Sequence, residues 1–361
     1  MTTPARSAEA DQAATAYHVA LTQIGVATVE DALSLWQGVP PARTAATSAA
    51  WLRRAIFLVM TRRSRARDLA MAYYRLARAL RTGRTVANPC RPGPAYVSLD
   101  MLRREFAALA GPEQPTSAAV TPGTDAAPPT TEADQTGPLP DDEEADEGSD
   151  VDEADRILVE EIEAIDREQE RQERAAEEET RIALQELGPN NLDRKLADID
   201  TTAPAATVDA LREDAHRRAG TRQAAAAERI VMNGARGTAW SLGQRDRRVV
   251  GYVRLSQSGT PCGWCAMLIS RGAVYKSQRS AEYADGDKYH DNCHCTAEQV
   301  FTRDQFTGSD LFALNRRYGV LWPQVTKGLS GKAALRAWRR FIRQEQAAAQ
   351  QARRSSNVQE A

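Results

Sequence analysis

The chain of 361 residues has no long apolar run. The longest, Ala55 to Met60, directly follows Arg53 and Arg54, and it is far shorter than the roughly twenty apolar residues a membrane helix needs. A membrane span is thereby excluded and a soluble chain expected. The polar start Met1-Thr2-Thr3-Pro4 does not resemble a secretory signal, so the expected setting is a reducing cytoplasm, where disulfides are rare. Histidine is scarce as well, with only four in the chain. A serine peptidase needs a histidine that reaches its serine, yet His18 and His216 both lie in helical, charged stretches with no evident nucleophile nearby. Neither a Gly-x-Ser-x-Gly elbow nor a His-Glu-x-x-His zinc-peptidase signature occurs.

Cysteine is equally sparse, but its placement is informative. Four of the five cysteines and two of the histidines fall in Cys262-Gly263-Trp264-Cys265 and His290-Asp291-Asn292-Cys293-His294-Cys295. A Cys-x-x-Cys knuckle brings two thiolates to one ion, and the second cluster can complete a tetrahedron. Soft sulfur and imidazole donors suit zinc. There are more donors than places. The expected set is Cys262, Cys265, His290 and Cys293, with Cys295 as the first substitute, because Cys293 and Cys295 would point to opposite faces of an extended segment. A closed site of four protein ligands leaves no place for water and therefore implies a structural ion. Competing readings are a disulfide framework, or a catalytic pair of Cys262 or Cys265 with His290, since imidazole activates a thiolate. Bound metal would silence that pair. Buried cysteines without a ligand role would require the whole cluster to be an accident.

A hydrophobic share of 42 % and a negative mean hydropathy imply that only part of the chain packs into a core. The net charge of −2 conceals segments of opposite sign: residues 1–110 are basic, the following stretch to about residue 200 is strongly acidic, and the remainder is basic again. Residues 1–110 read as a helical region, with Trp51, Leu52, Ala55, Ile56 and Val59, then Leu69, Ala70, Tyr73, Tyr74, Ala77 and Leu80, at three- and four-residue spacing. Between them Arg62-Arg63-Ser64-Arg65-Ala66-Arg67 forms a basic run, either a solvated helix face or a contact for nucleic acid or an acidic partner. Residues 111–155, rich in proline and acid and poor in apolar side chains, read as a disordered linker. Residues 156–204 read as a charged, solvated helical segment rather than a sustained coiled coil, because Gln169, Gln172, Ala175 and Ala176 replace its apolar stripe.

Residues 205–345 read as a small α+β domain carrying the zinc cluster. The pattern predicts a helix from Val208 to Asn233 ended by an Asn233-Gly234 turn, strands at 248–255, 273–276 and 296–301, and an amphipathic helix from Lys332 to Gln344. In that last helix Leu335, Trp338, Phe341 and Ile342 should face a core and Arg336, Arg339, Arg340 and Arg343 the solvent. Residues 346–361 read as a disordered tail. The fold class is α+β overall.

The string Pro261-Cys262-Gly263-Trp264-Cys265-Ala266-Met267-Leu268, followed by Ser270-Arg271-Gly272-Ala273-Val274-Tyr275 and Tyr289-His290-Asp291-Asn292-Cys293-His294-Cys295, resembles the MuF-like head-morphogenesis proteins of tailed bacteriophages. These include the actinobacterial-phage relatives called capsid maturation proteases. The resemblance implies a minor capsid protein carried in the virion head near the portal in few copies and made in the host cytoplasm. Implied partners are portal and major capsid proteins, with packaged DNA a further partner through basic helices; no membrane partner is implied. Its alternative implication is a peptidase acting on shell or scaffold proteins.

Overall fold

The computed structural model describes residues 4–41, 45–86, 97–111, 162–256, 261–273, 290–291 and 293–359. The linker expected at 111–155, apart from Gly111, and the strand expected at 273–276, apart from Ala273, lie outside the described residues. Helices dominate, as the α+β assignment expects, and the described sheet is a single two-stranded ribbon near the C-terminus.

Helices α1 (Pro4–Gln37) and α2 (Ala45–Thr82) run into a short α3 (Leu99–Ala110). Helix α3 starts on Ser98, whose side chain accepts the Met101 N–H, the usual satisfaction of an orphan first-turn donor. Helix α4 (Ile162–Gln185) continues through a wide π turn, Glu186–Asn190, into α5 (Asn191–Ala197). Helix α6 (Ala205–Arg245) is the longest element. It lies against α1 and α2, and all three contribute to one core built around Leu21, Trp36, Trp51, Leu69, Tyr73, Leu80, Ile230 and Val231. Trp36 anchors that core, with its ring 5.0 Å from Trp51 and its indole N–H donating to the His216 carbonyl at 2.9 Å. That core draws residues from both sides of residue 205.

Helix α6 does not stop at Asn233-Gly234. A Cβ on Gly234 would sit 2.7 Å from Arg63 Cγ and 3.1 Å from the Arg63 carbonyl oxygen. Glycine is there so that α6 can touch α2, not to turn the chain. Such dipeptides signal turns only where no neighbour needs the space.

The basic run on α2 is enclosed by the protein itself. Arg63 pairs with Glu173 of α4 at 2.9 Å and donates to the Ile230 carbonyl at 2.7 Å. Arg67 donates to Gln169 at 2.9 Å, and Arg62 reaches Asp31 at 2.6 Å. Helix α4, expected to be solvated, accordingly buries one face through Gln169, Ala176, Thr180 and Leu184. Its apolar stripe is weak because charge and hydrogen bonding perform part of the docking.

Helix α6 ends at Asp246, from which β1 (Gly251–Leu255) begins. Asp246 is fully buried against Arg78, with Nε at 2.5 Å from Oδ2. It also accepts from the Tyr74 hydroxyl at 2.7 Å and the Arg248 N–H at 2.9 Å. Helix α7 (Gly263–Ile269) follows β1, and β2 (Thr296–Val300) pairs antiparallel with β1, Gly251 opposite Val300 and Leu255 opposite Thr296. After β2 come α8 (Arg303–Gly308), a 3-10 turn (Asp310–Phe312), α9 (Ala313–Val325) and α10 (Gly331–Gln359). Trp338 of α10 is fully buried among Tyr318, Trp322 and Phe341, with Arg336, Arg339, Arg340 and Arg343 outward as the pattern predicts. The tail expected to be disordered from 346 is helical to Gln359. Its alanines and glutamines are good helix formers, and no glycine or proline follows Gly331 to stop it.

Replacing Arg78 with methionine would leave the Asp246 carboxylate buried without its cation, a change that typically costs about 3–5 kcal/mol. Urea unfolding should show that loss, and pairing Arg78→Met with Asp246→Leu should recover much of it.

Candidate metal centre

The pairing of β1 with β2 builds the cluster. Strand β1 ends seven residues before Cys262, and β2 begins immediately after Cys295. With Leu255 opposite Thr296, the ladder draws the two halves of the motif to the same end of the ribbon. Cys262 then caps α7, its sulfur accepting the Cys265 N–H at 3.3 Å. A Cβ on Gly263 would lie 2.8 Å from Arg339 Cγ and 3.2 Å from Arg339 Cα. Glycine inside the knuckle thus lets α10 pass over it.

Five of the six candidate donors come together. Cys262, Cys265 and His290 form one group, and Cys265, Cys293 and Cys295 another, with the donor atoms of each group within 4.8 Å of one another. Cys265 belongs to both. Its sulfur is 3.5 Å from that of Cys293, while His290 Nε2 is 3.0 Å from the Cys262 sulfur and His290 Nδ1 lies 2.8 Å from the Asp291 carbonyl. The sixth candidate, His294, turns away to Glu228 on α6 at 3.0 Å. The expectation that Cys293 and Cys295 would face opposite sides is corrected: both are buried beside Cys265. Regular extended structure starts only at Thr296, and Arg236 of α6 donates to the carbonyls of both Cys293 and Cys295, which fixes the intervening backbone.

The electrostatics favour thiolates at Cys262 and Cys293. Arg254 of β1 is fully buried and places Nη2 3.9 Å from the Cys265 sulfur and 3.8 Å from the Cys293 sulfur. The hydrogen bond from Cys265, and then that from His290, holds the Cys262 thiol down at about 4. The same contact with Cys262 raises His290 to about 9. Hydrogen bonding from Cys265 also lowers Cys293, whereas Cys265, facing three sulfurs, is pushed up. Cys295, lowered by Cys265 but raised by Cys293 and by burial, ends up at about 11; the thiolates favoured at Cys262 and Cys293 can hold a metal ion, because the ligand is the thiolate.

A buried polar network beside the cluster has no signature in the sequence. His18 on α1, expected to have no nucleophile nearby, contacts the Thr296 hydroxyl. Both residues are buried, 2 % and 3 % exposed, so the pair joins α1 to β2 and is closed to a substrate. Two residues on, Glu298 accepts from the Tyr73 hydroxyl of α2. His216 is also engaged, its Nε2 2.7 Å from the Val39 carbonyl.

The arrangement is that of a mainly helical protein with a Cys/His centre, and part of the chain is similar to a phage virion-protein family. Residues 168–320 match the profile of the family described as VG15 protein. That match spans less than half of the chain but takes in most of α4, all of α6, both strands and every cluster residue. No curated protein and no solved structure matches the chain. Among the described residues no helix is long and apolar enough to cross a membrane.

Burial pushes Glu298 up from 4.5 to about 7, against the hydrogen bond from Tyr73. Because the folded value lies above the unfolded one, its contribution to stability is complete below about pH 4.5 and is lost as pH rises through 7. His18, driven down to about 4 by burial, acts in the opposite sense: its contribution is complete above 6.5 and lost as pH falls towards 4. Glu298→Gln should therefore gain on the wild type as pH rises from 5 to 8, by at most about 1.4 kcal/mol per pH unit through the titration. Urea unfolding at those two pH values measures the gap.

Proposed function

We propose that the chain is a minor structural protein of a phage head, MuF-like in character, acting in capsid assembly near the portal, with a zinc ion stapling its C-terminal part. Portal and major capsid proteins are the partners. The observation that carries this reading is the closure of the cluster. Cys265, Cys293 and Cys295 are 1 %, 6 % and 3 % exposed, so an ion held there is sealed from a substrate and serves architecture. The VG15 match supports the virion setting because it covers those same residues. Zinc fits the donors, sulfur and imidazole, better than the harder divalent cations do.

Structural zinc contributes about 10–16 kcal/mol in small domains at neutral pH. The purified protein should carry about one zinc per chain, and chelation should melt the region around β1, α7 and β2, seen as a fall in amide protection there. A metal-free chain with unaltered protection would sink the zinc reading. Mass spectrometry of purified particles should find the chain at low copy number; its absence from particles would sink the virion reading.

Packaged DNA as a further partner fits α10 and the turn that precedes it. The Arg62–Arg67 run is committed internally, whereas Lys327, Lys332, Arg336, Arg339, Arg340 and Arg343 are exposed, in a stretch with no acidic residue between Asp310 and Glu345. Binding to a DNA duplex should weaken with salt. Changing Arg336, Arg340 and Arg343 to glutamine should reduce the slope of log affinity against log salt by roughly 0.9 for each phosphate that is no longer neutralised.

One observation favours a second reading, a peptidase that processes shell or scaffold proteins. Cys262 is exposed and sits 3.0 Å from His290 Nε2, with shifts that favour a thiolate and imidazolium, the ion pair of cysteine peptidases. Co-expression with the phage's shell and scaffold proteins discriminates. The structural reading expects no cleavage from either the wild type or the Cys262→Ala, His290→Ala double variant. Cleavage by the wild type that a folded double variant loses would establish the peptidase.

A further inference from the structure

Five donors compete for four places, and the structure separates them by burial, charge and alternative partners. We propose that the ion is held by four thiolates, Cys262, Cys265, Cys293 and Cys295, and that His290 stands outside as a hydrogen-bond partner of the Cys262 sulfur. The inference rests on the reading that the cluster binds a metal, and it differs from the set expected from the spacing, which included His290 and held Cys295 as the first substitute.

Three observations carry it. The first is what each choice leaves behind. Leaving out Cys295 strands a thiol only 3 % exposed among bound sulfurs, within 4.8 Å of both Cys265 and Cys293. Leaving out His290 strands nothing, since the imidazole is exposed and both ring nitrogens have partners, Nδ1 at the Asp291 carbonyl and Nε2 at the Cys262 sulfur. The second is charge. A divalent ion with four thiolates carries two net negative charges, and one with three thiolates and a neutral imidazole carries one. Two buried guanidiniums face this cluster: Arg254, beside the sulfurs of Cys265 and Cys293, and Arg236, on the carbonyls of Cys293 and Cys295. Positive charge so close offsets the cost of burying the more negative four-thiolate centre. The third is the backbone. The Cys265 N–H already donates to the Cys262 sulfur, a partner that suits a thiolate ligand at the edge of the site. Cys265 is common to both groups and bridges the knuckle and the second cluster, whereas Cys262 groups with Cys265 and His290 and not with Cys293 or Cys295, so binding the ion must draw the Cys262 sulfur inward.

Cobalt(II) is the probe, because its thiolate charge-transfer intensity scales with the number of bound sulfurs and its visible bands respond to nitrogen ligation. The full-length wild-type chain loaded with cobalt should show four sulfurs. His290→Gln should keep one ion per chain and an unchanged spectrum, with affinity lowered at most by the roughly tenfold to hundredfold typical of an outer-sphere partner. Cys295→Ser should lose about a quarter of the charge-transfer intensity or fail to hold the ion. A three-sulfur wild-type spectrum, or a His290→Gln spectrum altered while Cys295→Ser is unchanged, would overturn the assignment. The wild-type spectrum decides the matter even if Cys295→Ser does not fold. A chain that binds neither cobalt nor zinc would instead sink the metal reading itself, so the two failures are distinct.

Discussion

Helix α6 is buried around most of its circumference, and that constraint organises what surrounds it. A helix enclosed on several sides needs small residues where neighbours approach, and α6 supplies Ala219, Gly220, Ala224, Ala226, Ala227, Gly234 and Ala235. It must also satisfy whatever polar groups it carries into the interior. Glu228 does so with His294, and Arg236 with the carbonyls of Cys293 and Cys295. With Arg229, which pairs with Asp291 at 2.9 Å, those side chains link the helical body directly to the cysteine cluster. The site is therefore positioned by the helix that packs on α1 and α2 as much as by its own strands.

The cluster is also held from the opposite side. Helix α7 carries the knuckle and buries Ala266, Met267, Leu268 and Ile269 against α9 and α10, while the Asn315 side chain ties the Arg254 carbonyl to that of Ile269. The donors thus come from segments already constrained by a sheet, a helix cap and an aromatic cluster around Trp338. Such preorganisation suits a structural ion, whose ligands need to be brought together once and then kept. The same closure weighs against a catalytic role for the buried sulfurs and confines any reactive chemistry to the exposed edge at Cys262.

Charge is used in two ways. On α2, arginines that look like a binding patch in the sequence end on Asp31, Gln169 and Glu173, so α4 is docked by ion pairs as well as by Leu184 and Ala176. On α10, the arginines stay in solvent because the opposite face is committed to burying Trp338 and Ile342. Only packing distinguishes the two runs. Asp246 shows a third use, a buried carboxylate that gathers Arg78, Tyr74 and the Arg248 backbone at the point where α6 gives way to β1.

The sequence alone determined what periodicity and local chemistry can carry: the helical character of α1, α2 and α10, the positions of β1 and β2, and the six clustered donors. These are properties of short windows, in which a 3.6-residue stripe or a Cys-x-x-Cys pair is visible without its neighbours. Tertiary structure decided what depends on partners distant in the chain. It carried α6 through Asn233-Gly234 because Arg63 needed the space, buried one face of α4 despite its charge, and turned Cys293 and Cys295 to the same side through Arg236. It also turned His294 to Glu228 and paired His18 with Thr296, joining residues far apart in sequence. No local pattern encodes such pairings, because they arise only where packing brings separate segments within hydrogen-bond reach.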